Sequence, residues 1–89
     1  MSALLAVGTT TASSADFTLT GEVTTLFLVN TTAPLDVGAQ AVIEVKSAAG
    51  QYYNIGALSA TRNPVLAISA PGTFRVTRYA GASCGVDRT

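Results

Sequence analysis

The sequence predicts a small all-β domain, an antiparallel β-sandwich or barrel of jelly-roll or immunoglobulin-like size with an extended N-terminal segment. Thirteen threonines, nine valines and eight glycines in 89 residues favour strands, because β-branched side chains pack well on a pleated sheet and are stiff in a helix. Apolar runs bounded by turn residues recur about every 10 to 12 positions, a spacing typical of sandwiches and barrels. No segment shows an apolar period of 3.6 residues, so no helix is expected.

The pattern predicts that the first two strands form a hairpin. Residues 17–20 alternate apolar side chains with threonine, and residues 23–29 follow after a tight turn. The second of these strands is apolar on both faces, and Leu26 and Leu28 share one of them. We expect the sandwich core to cover the opposite face and a neighbouring subunit to cover Leu26 and Leu28.

Four further strands follow, and the first two form a second hairpin. Residues 40–46 alternate aliphatic and polar side chains, and a turn of small residues leads into residues 51–58. A short strand at residues 65–69 precedes a type II turn at residues 70–73, where Pro and Gly occupy the two central positions. Residues 73–79 form the last clearly predicted strand.

We divide the chain into an N-terminal segment, residues 1–15, and a single β domain, residues 16–89. The N-terminal segment consists mostly of small and apolar residues and carries no charged side chain before Asp16. It is either a frayed end or added edge strand, or an arm that lies on a neighbouring subunit or host surface. Because no basic residue precedes a short apolar run, it does not match a secretion signal.

Charge and cysteine content exclude several classes of protein. Five basic and five acidic residues give a net charge of zero, which argues against a nucleic-acid binder, and no stretch is long and apolar enough for a membrane span. A single Cys84 and the absence of histidine leave neither a disulfide nor a typical zinc site to stabilise so small a core. We therefore expect a homo-oligomer, a dimer or trimer. Residues 1–61 hold four of the five acidic groups and residues 62–89 four of the five basic ones, so opposite patches could meet between subunits.

No arrangement of residues in the sequence predicts catalysis. Residues 81–85 match the letters of a hydrolase nucleophile elbow, but no helix follows and the chain has no histidine to accept a proton. The five carboxylates are at least six positions apart, which does not indicate a metal or glycosidase site. We expect no catalytic, metal-binding or cofactor-binding residues, and so no enzyme.

Tyrosine and arginine side chains are the candidates for contact with a protein partner. Tyr52 is adjacent to Tyr53 on one strand, so one of the two rings must face away from the core. Tyr79 ends the last strand near Arg75 and Arg78. Exposed tyrosine and arginine are typical of interface hot spots, and we predict Tyr52, Arg75, Arg78 and Tyr79 as contact residues together with Leu26 and Leu28.

The layout of the chain from Asp16 onward resembles the small β-rich virion proteins of tailed bacteriophages, of the head decoration or cement type. The segments that carry the resemblance are DFTLT, LFL, AVIEVK, QYYNIGAL, PGTFRVTR and GVD, from residue 16 to residue 87. The resemblance implies a non-enzymatic, oligomeric subunit that binds the outside of an icosahedral shell at junctions between capsid subunits. Its partner would be the major capsid protein, and it would be made in the host cytoplasm and located on the virion.

A second interpretation stays open beside this one. A β-sandwich of a phage tail or host-recognition apparatus could present its loops to a carbohydrate or a receptor. Tyr52 or Tyr53, together with Asn54, would then contact the ligand.

Overall fold

The computed structural model describes residues 2–31, 35 and 37–89, and these form nine β-strands in two antiparallel sheets. The strands are β1 (Ser2–Gly8), β2 (Ala12–Ser13), β3 (Phe17–Leu19), β4 (Thr24–Val29), β5 (Gln40–Lys46), β6 (Tyr52–Ser59), β7 (Val65–Ile68), β8 (Gly72–Arg78) and β9 (Cys84–Arg88). The predicted all-β sandwich is confirmed. No helix occurs among these residues, and hence none that could cross a membrane.

The strand order differs between the sheets. Sheet A has the order β1-β9-β4-β7. In sheet B, β2 and β3 both pair with one edge of β8, and β5 and β6 follow on its other side. The core lies between the sheets, and its largest fully buried aliphatic side chains are Leu19, Leu26, Ile43, Leu58, Val76 and Val86.

The hairpin of β5 and β6 is confirmed. Its strands pair from Gln40 with Ser59 to Lys46 with Tyr52. The register shifts between Ile43 and Glu44, so that β6 contains one extra residue, a β-bulge. Alternation along β5 buries Ala41 and Ile43, as the sequence pattern indicates.

The predicted hairpin of residues 17–20 and 23–29 is wrong. β3 pairs with β8 in sheet B, whereas β4 pairs with β7 and β9 in sheet A. The turn between them carries the chain from one sheet to the other, and Gly21 permits this with a φ of 125°. The Pro-Gly turn before β8 likewise joins two sheets, with Gly72 at a φ of 151°.

The expectation that Leu26 and Leu28 face outward is also wrong. Leu26 is fully buried and Leu28 is 5% exposed, and both point into the core. The outward residues of β4 are Thr25, Phe27 and Val29. The two faces of this strand are both apolar, and only the pairing register decides which of them meets the core.

The N-terminal residues lie in the sandwich, and the described residues do not show an extended arm. β1 is the outer strand of sheet A and pairs with β9, Ala3 opposite Asp87 and Leu5 opposite Val86. After a bend at Thr9 and Thr10, the chain enters sheet B as the edge strand β2.

Candidate interaction surface

On the outer face of sheet B, polar side chains of β2, β5 and β8 bond to one another. Arg75 on β8 donates from Nε to Oε1 of Glu44 on β5, at 2.9 Å, because the two residues are directly paired across the strands. Thr77 donates to the same Glu44 oxygen at 2.6 Å, and its hydroxyl lies 2.9 Å from that of Ser13 on β2.

Tyr52 stands at the centre of a second part of this network. Its hydroxyl donates to both carboxylate oxygens of Asp16, at 2.8 and 3.0 Å, and Nζ of Lys46 lies 3.4 Å from the same carboxylate. The guanidinium of Arg75 stacks 3.5 Å from the centre of the Tyr52 ring. The hydroxyl and one ring face of Tyr52 are therefore already engaged within the chain.

The ionisable groups of this face stabilise one another. The Tyr52 hydroxyl, and next Lys46, lower the pKa of Asp16. The Thr77 hydroxyl, followed by Arg75, lowers the pKa of Glu44. Because these charged groups are already paired within the chain, the outer face of sheet B would gain little free energy from binding a charged group of another molecule.

Arg78, predicted as an exposed contact residue, is only 4% exposed, and that prediction is wrong. Alternation along β8 turns it inward on the same side as Phe74 and Val76. Its guanidinium is bonded by main-chain carbonyls: Nε donates to Thr10 at 2.7 Å, and Nη1 donates to Ala6 at 2.7 Å and to Cys84 at 2.9 Å. The side chain joins the N-terminal segment to β9 instead of contacting a partner.

The outer face of sheet A has a different character. The pairing register places Val65, Phe27, Asp87 and Ala3 in one row across all four strands, β7, β4, β9 and β1. Ala67 and Thr25 form a parallel row on the β7 side. We call this surface, together with Val29, the sheet A face: it consists of Ala3, Thr25, Phe27, Val29, Val65, Ala67 and Asp87.

Exposure and charge distinguish the sheet A face from the opposite side of the sandwich. Val65 is 48% exposed, and Phe27 and Val29 are half-buried although none of the nine described strands lies over this face. Asp87 is its only charged residue, and it forms no ion pair among the described residues, whose two ion pairs are both in sheet B. Exposed apolar side chains grouped on one face are typical of protein–protein interaction sites.

The remaining predicted contact residues do not join the sheet A face. Tyr79, 49% exposed, follows β8 at one end of sheet B, and Arg75 is occupied by Glu44 and Tyr52. Tyr53 is 55% exposed near the start of the edge strand β6. Sequence reasoning did not single out Phe27, Val65 and Asp87, although the two apolar faces of residues 23–29 led to the prediction of an outer partner for this strand.

The free edge of β6 is partly closed to strand addition. The amide of Gly56 donates to the Asn54 side chain at 3.0 Å, and the carbonyl of Ala57 accepts from the Asn63 side chain at 2.8 Å. Ser59 bonds to the backbone of Asn63. Together with the bulge, these bonds are the usual protection of an edge strand against unwanted pairing.

The part of the chain that the structure describes contains no pocket and no group of three or more His, Cys, Asp or Glu side chains able to hold a metal ion. No protein-family model matches the chain, and no curated protein and no solved structure matches it either.

Proposed function

We propose that this protein is a non-enzymatic structural subunit of a tailed-bacteriophage virion, which binds the capsid exterior as an oligomer at junctions between capsid subunits. The sheet A face is the observation that carries the proposal, because it offers an apolar docking surface opposite a face whose polar groups are already paired. The resemblance of the chain's layout to decoration and cement proteins supplies the identity of the partner, the major capsid protein.

The size of the sheet A face suits this role. A stable interface buries about 800 Å² on each partner, which is roughly one sixth of the 4810 Å² surface of this chain. One face of a small sandwich can supply that area. Burial of the Phe27 and Val65 side chains would drive docking, and a basic group on the capsid would compensate Asp87.

The effect on the particle would follow from mass action. A subunit that binds the assembled shell and not its separated components stabilises the shell at each site by RT ln(1 + L/Kd), where L is the free concentration of the subunit. Many copies on one particle multiply that stabilisation, so a modest affinity at each site is sufficient.

The test uses heads of the phage that encodes this chain, freed of their own copies of it, and two matched variants. Val65→Lys places a charge on the sheet A face, and Thr18→Lys places the same charge on the exposed outer face of sheet B. We expect at least a tenfold loss of head binding, measured by co-sedimentation, for Val65→Lys alone. Absence of binding by the unaltered chain, or absence of the chain from a density map of the intact particle, would contradict the proposal.

One exposed side chain favours the second candidate, a module that binds a carbohydrate or receptor. Tyr53 projects from β6 with Asn54 and Ile55 beside it, all three exposed. A glycan array signal abolished by Tyr53→Ala would support this function. The same variant should leave head binding unchanged if the decoration role is correct.

A further inference from the structure

The N-terminal strand β1 is joined to the sandwich by few elements. It pairs with β9 alone, and the register of that pairing shifts twice, between Ala3 and Leu5 and between Leu5 and Gly8. Among its described side chains only Leu5 is buried, at 8% exposure, and Leu4 packs partly buried against the core. A strand with one irregular ladder and one buried side chain can leave its sheet without dismantling the rest of the core.

The site that receives β1 is nevertheless built for it. A Cβ atom on Gly85 would lie 2.6 Å from the carbonyl oxygen of Leu5 and 2.8 Å from the amide nitrogen of Val7. Only glycine at this position of β9 allows the backbone of β1 to approach so closely. Gly85 thus forms a notch that the middle of β1 fills.

Arg78 requires that this site be filled. With β1 removed and the following bend straightened, its guanidinium would lose the carbonyls of Ala6 and Thr10 and keep that of Cys84. A buried cation with most of its acceptors missing carries a large desolvation cost. The site must hold a strand whose carbonyl groups face Arg78, either from the same chain or from another.

The sequence of the segment that connects β1 to β2 favours an extended backbone, in which β1 is detached from its own sandwich. Thr9, Thr10 and Thr11 turn the chain from one sheet to the other, and the backbone bends at the first two. Threonine is β-branched and prefers extended backbone, whereas turns usually contain Gly, Pro, Asn, Asp or Ser. Short connections whose sequence disfavours the turn promote exchange of the element they carry.

We propose that β1 is exchanged between copies of this chain, so that β1 of one subunit occupies the site formed by Gly85 and Arg78 of a second. The occupant is a second copy of this chain, because every copy carries a β1 that fits the site. Identical chains with a net charge of zero also do not repel one another. Strand exchange would explain how the oligomer of the proposed function forms, and it rests on that function only in requiring an oligomer.

The experiment asks whether β1 pairs with its own β9 or with that of another chain. One variant carries Ala3→Cys and the other Asp87→Cys, each with Cys84→Ala, because Ala3 and Asp87 are direct partners across the two strands. The two are mixed at equal concentration, unfolded, refolded together and oxidised. At equal mixing about half of the exchanged pairs join unlike chains, and these form a disulfide-linked dimer of mixed composition, identified by mass spectrometry.

The matched control is a mixture of Thr25→Cys and Ala67→Cys chains, each also with Cys84→Ala, because these residues are direct partners on β4 and on β7, the opposite edge strand of sheet A. It should give no mixed dimer above random cross-linking. Strand exchange is overturned if the Ala3→Cys and Asp87→Cys chains give no more mixed dimer than the control chains do. It is also overturned by a strict monomer, by light scattering at the highest soluble concentration, for the unaltered chain. Neither measurement involves a capsid, so a failure of head binding and a failure of exchange are separate results.

Discussion

Arg78 shows how a charged side chain can be part of a β-sandwich core. Among the described residues, its guanidinium donates three hydrogen bonds to main-chain carbonyl oxygens on three segments of the chain, and no carboxylate pairs with it. Hydrogen bonds from a cation are roughly twice as strong as neutral ones, and carbonyl acceptors satisfy the guanidinium in the buried position. The residue therefore stabilises a junction of β1, β8 and β9.

We predict that Arg78→Met lowers the free energy of unfolding by about 2–4 kcal/mol, because it leaves buried carbonyl groups without donors. Urea denaturation followed by circular dichroism measures the change. Arg62→Met, the same replacement at an exposed residue, is the control and should change stability little. Similar losses in the two variants would show that the Arg78 bonds contribute nothing specific.

Sequence reasoning places such a residue on the surface for a sound reason. Arginine is rarely buried, and alternation along residues 73–79 puts Arg78 inward only if the core extends to the end of the strand. The same limit applies to Leu26 and Leu28, since a strand with two apolar faces does not reveal which one is inward. In both cases contacts with segments distant in the sequence decide the outcome.

At the scale of elements, the outer face of sheet B couples stability to pH. Asp16 and Glu44 have folded-state pKa values below their ordinary 3.8 and 4.5, so the unfolded chain binds more protons in acid. Their stabilising contribution is complete above those ordinary values and is lost as pH falls through the lower folded values. We predict that the free energy of unfolding decreases on acidification below about pH 4.5.

The contribution of Asp16 can be separated by Tyr52→Phe, which removes the hydroxyl that chiefly lowers its pKa. The pKa of Asp16, followed by the chemical shift of its carboxyl carbon, should rise toward 3.8. The pKa of Glu44 should stay where it is, because Thr77 and Arg75 hold it independently. An unchanged Asp16 pKa would mean that this bond is not maintained in solution.

Gly85 offers a test of how β1 is seated. We predict that Gly85→Ala lowers stability by about 1–3 kcal/mol through overpacking and removes hydrogen-exchange protection from residues 2–8. Gly38→Ala is the matched control, since its nearest neighbour, Cβ of Ala82, would lie at an ordinary 3.8 Å. Retained protection in β1 of the Gly85 variant would contradict the close approach.

The sequence pattern locates best the elements in which polar and apolar residues mostly alternate. Residues 40–46 and 73–79 do so, apart from Val42 on the outer face and Arg78 on the inner one, and both are confirmed as strands. The error at Gly21 and Glu22 has a clear origin, because a tight turn between two strands suits a hairpin and a crossing between sheets equally well. The sequence does not indicate the position of β1, because its residues are nearly all apolar or small and do not distinguish an inner face from an outer one.

For the whole molecule, the opposite charges of the two halves of the sequence are partly paired inside one sandwich. Glu44 from the first half meets Arg75 from the second, and Arg78 is internal. These charged residues, which the sequence suggested for contact between subunits, therefore bond within one chain. Docking through the sheet A face should accordingly depend on apolar contact.

We predict that head binding persists at about 1 M NaCl, where exposed charges are screened within about 3 Å. Co-sedimentation across a salt series measures it, with the bound fraction changing by no more than about twofold. A steep loss of binding with salt would assign docking to charged residues and away from Phe27 and Val65.

Cys84 gives the molecule an internal reporter of opening. Its thiol is 1% exposed, and burial raises its pKa, so the reactive thiolate is both scarce and shielded from reagents in the closed sandwich. Alkylation then proceeds through transient openings, and its rate measures how often they occur. A single chemical label, added without any substitution, would record whether binding to a capsid holds the sandwich shut.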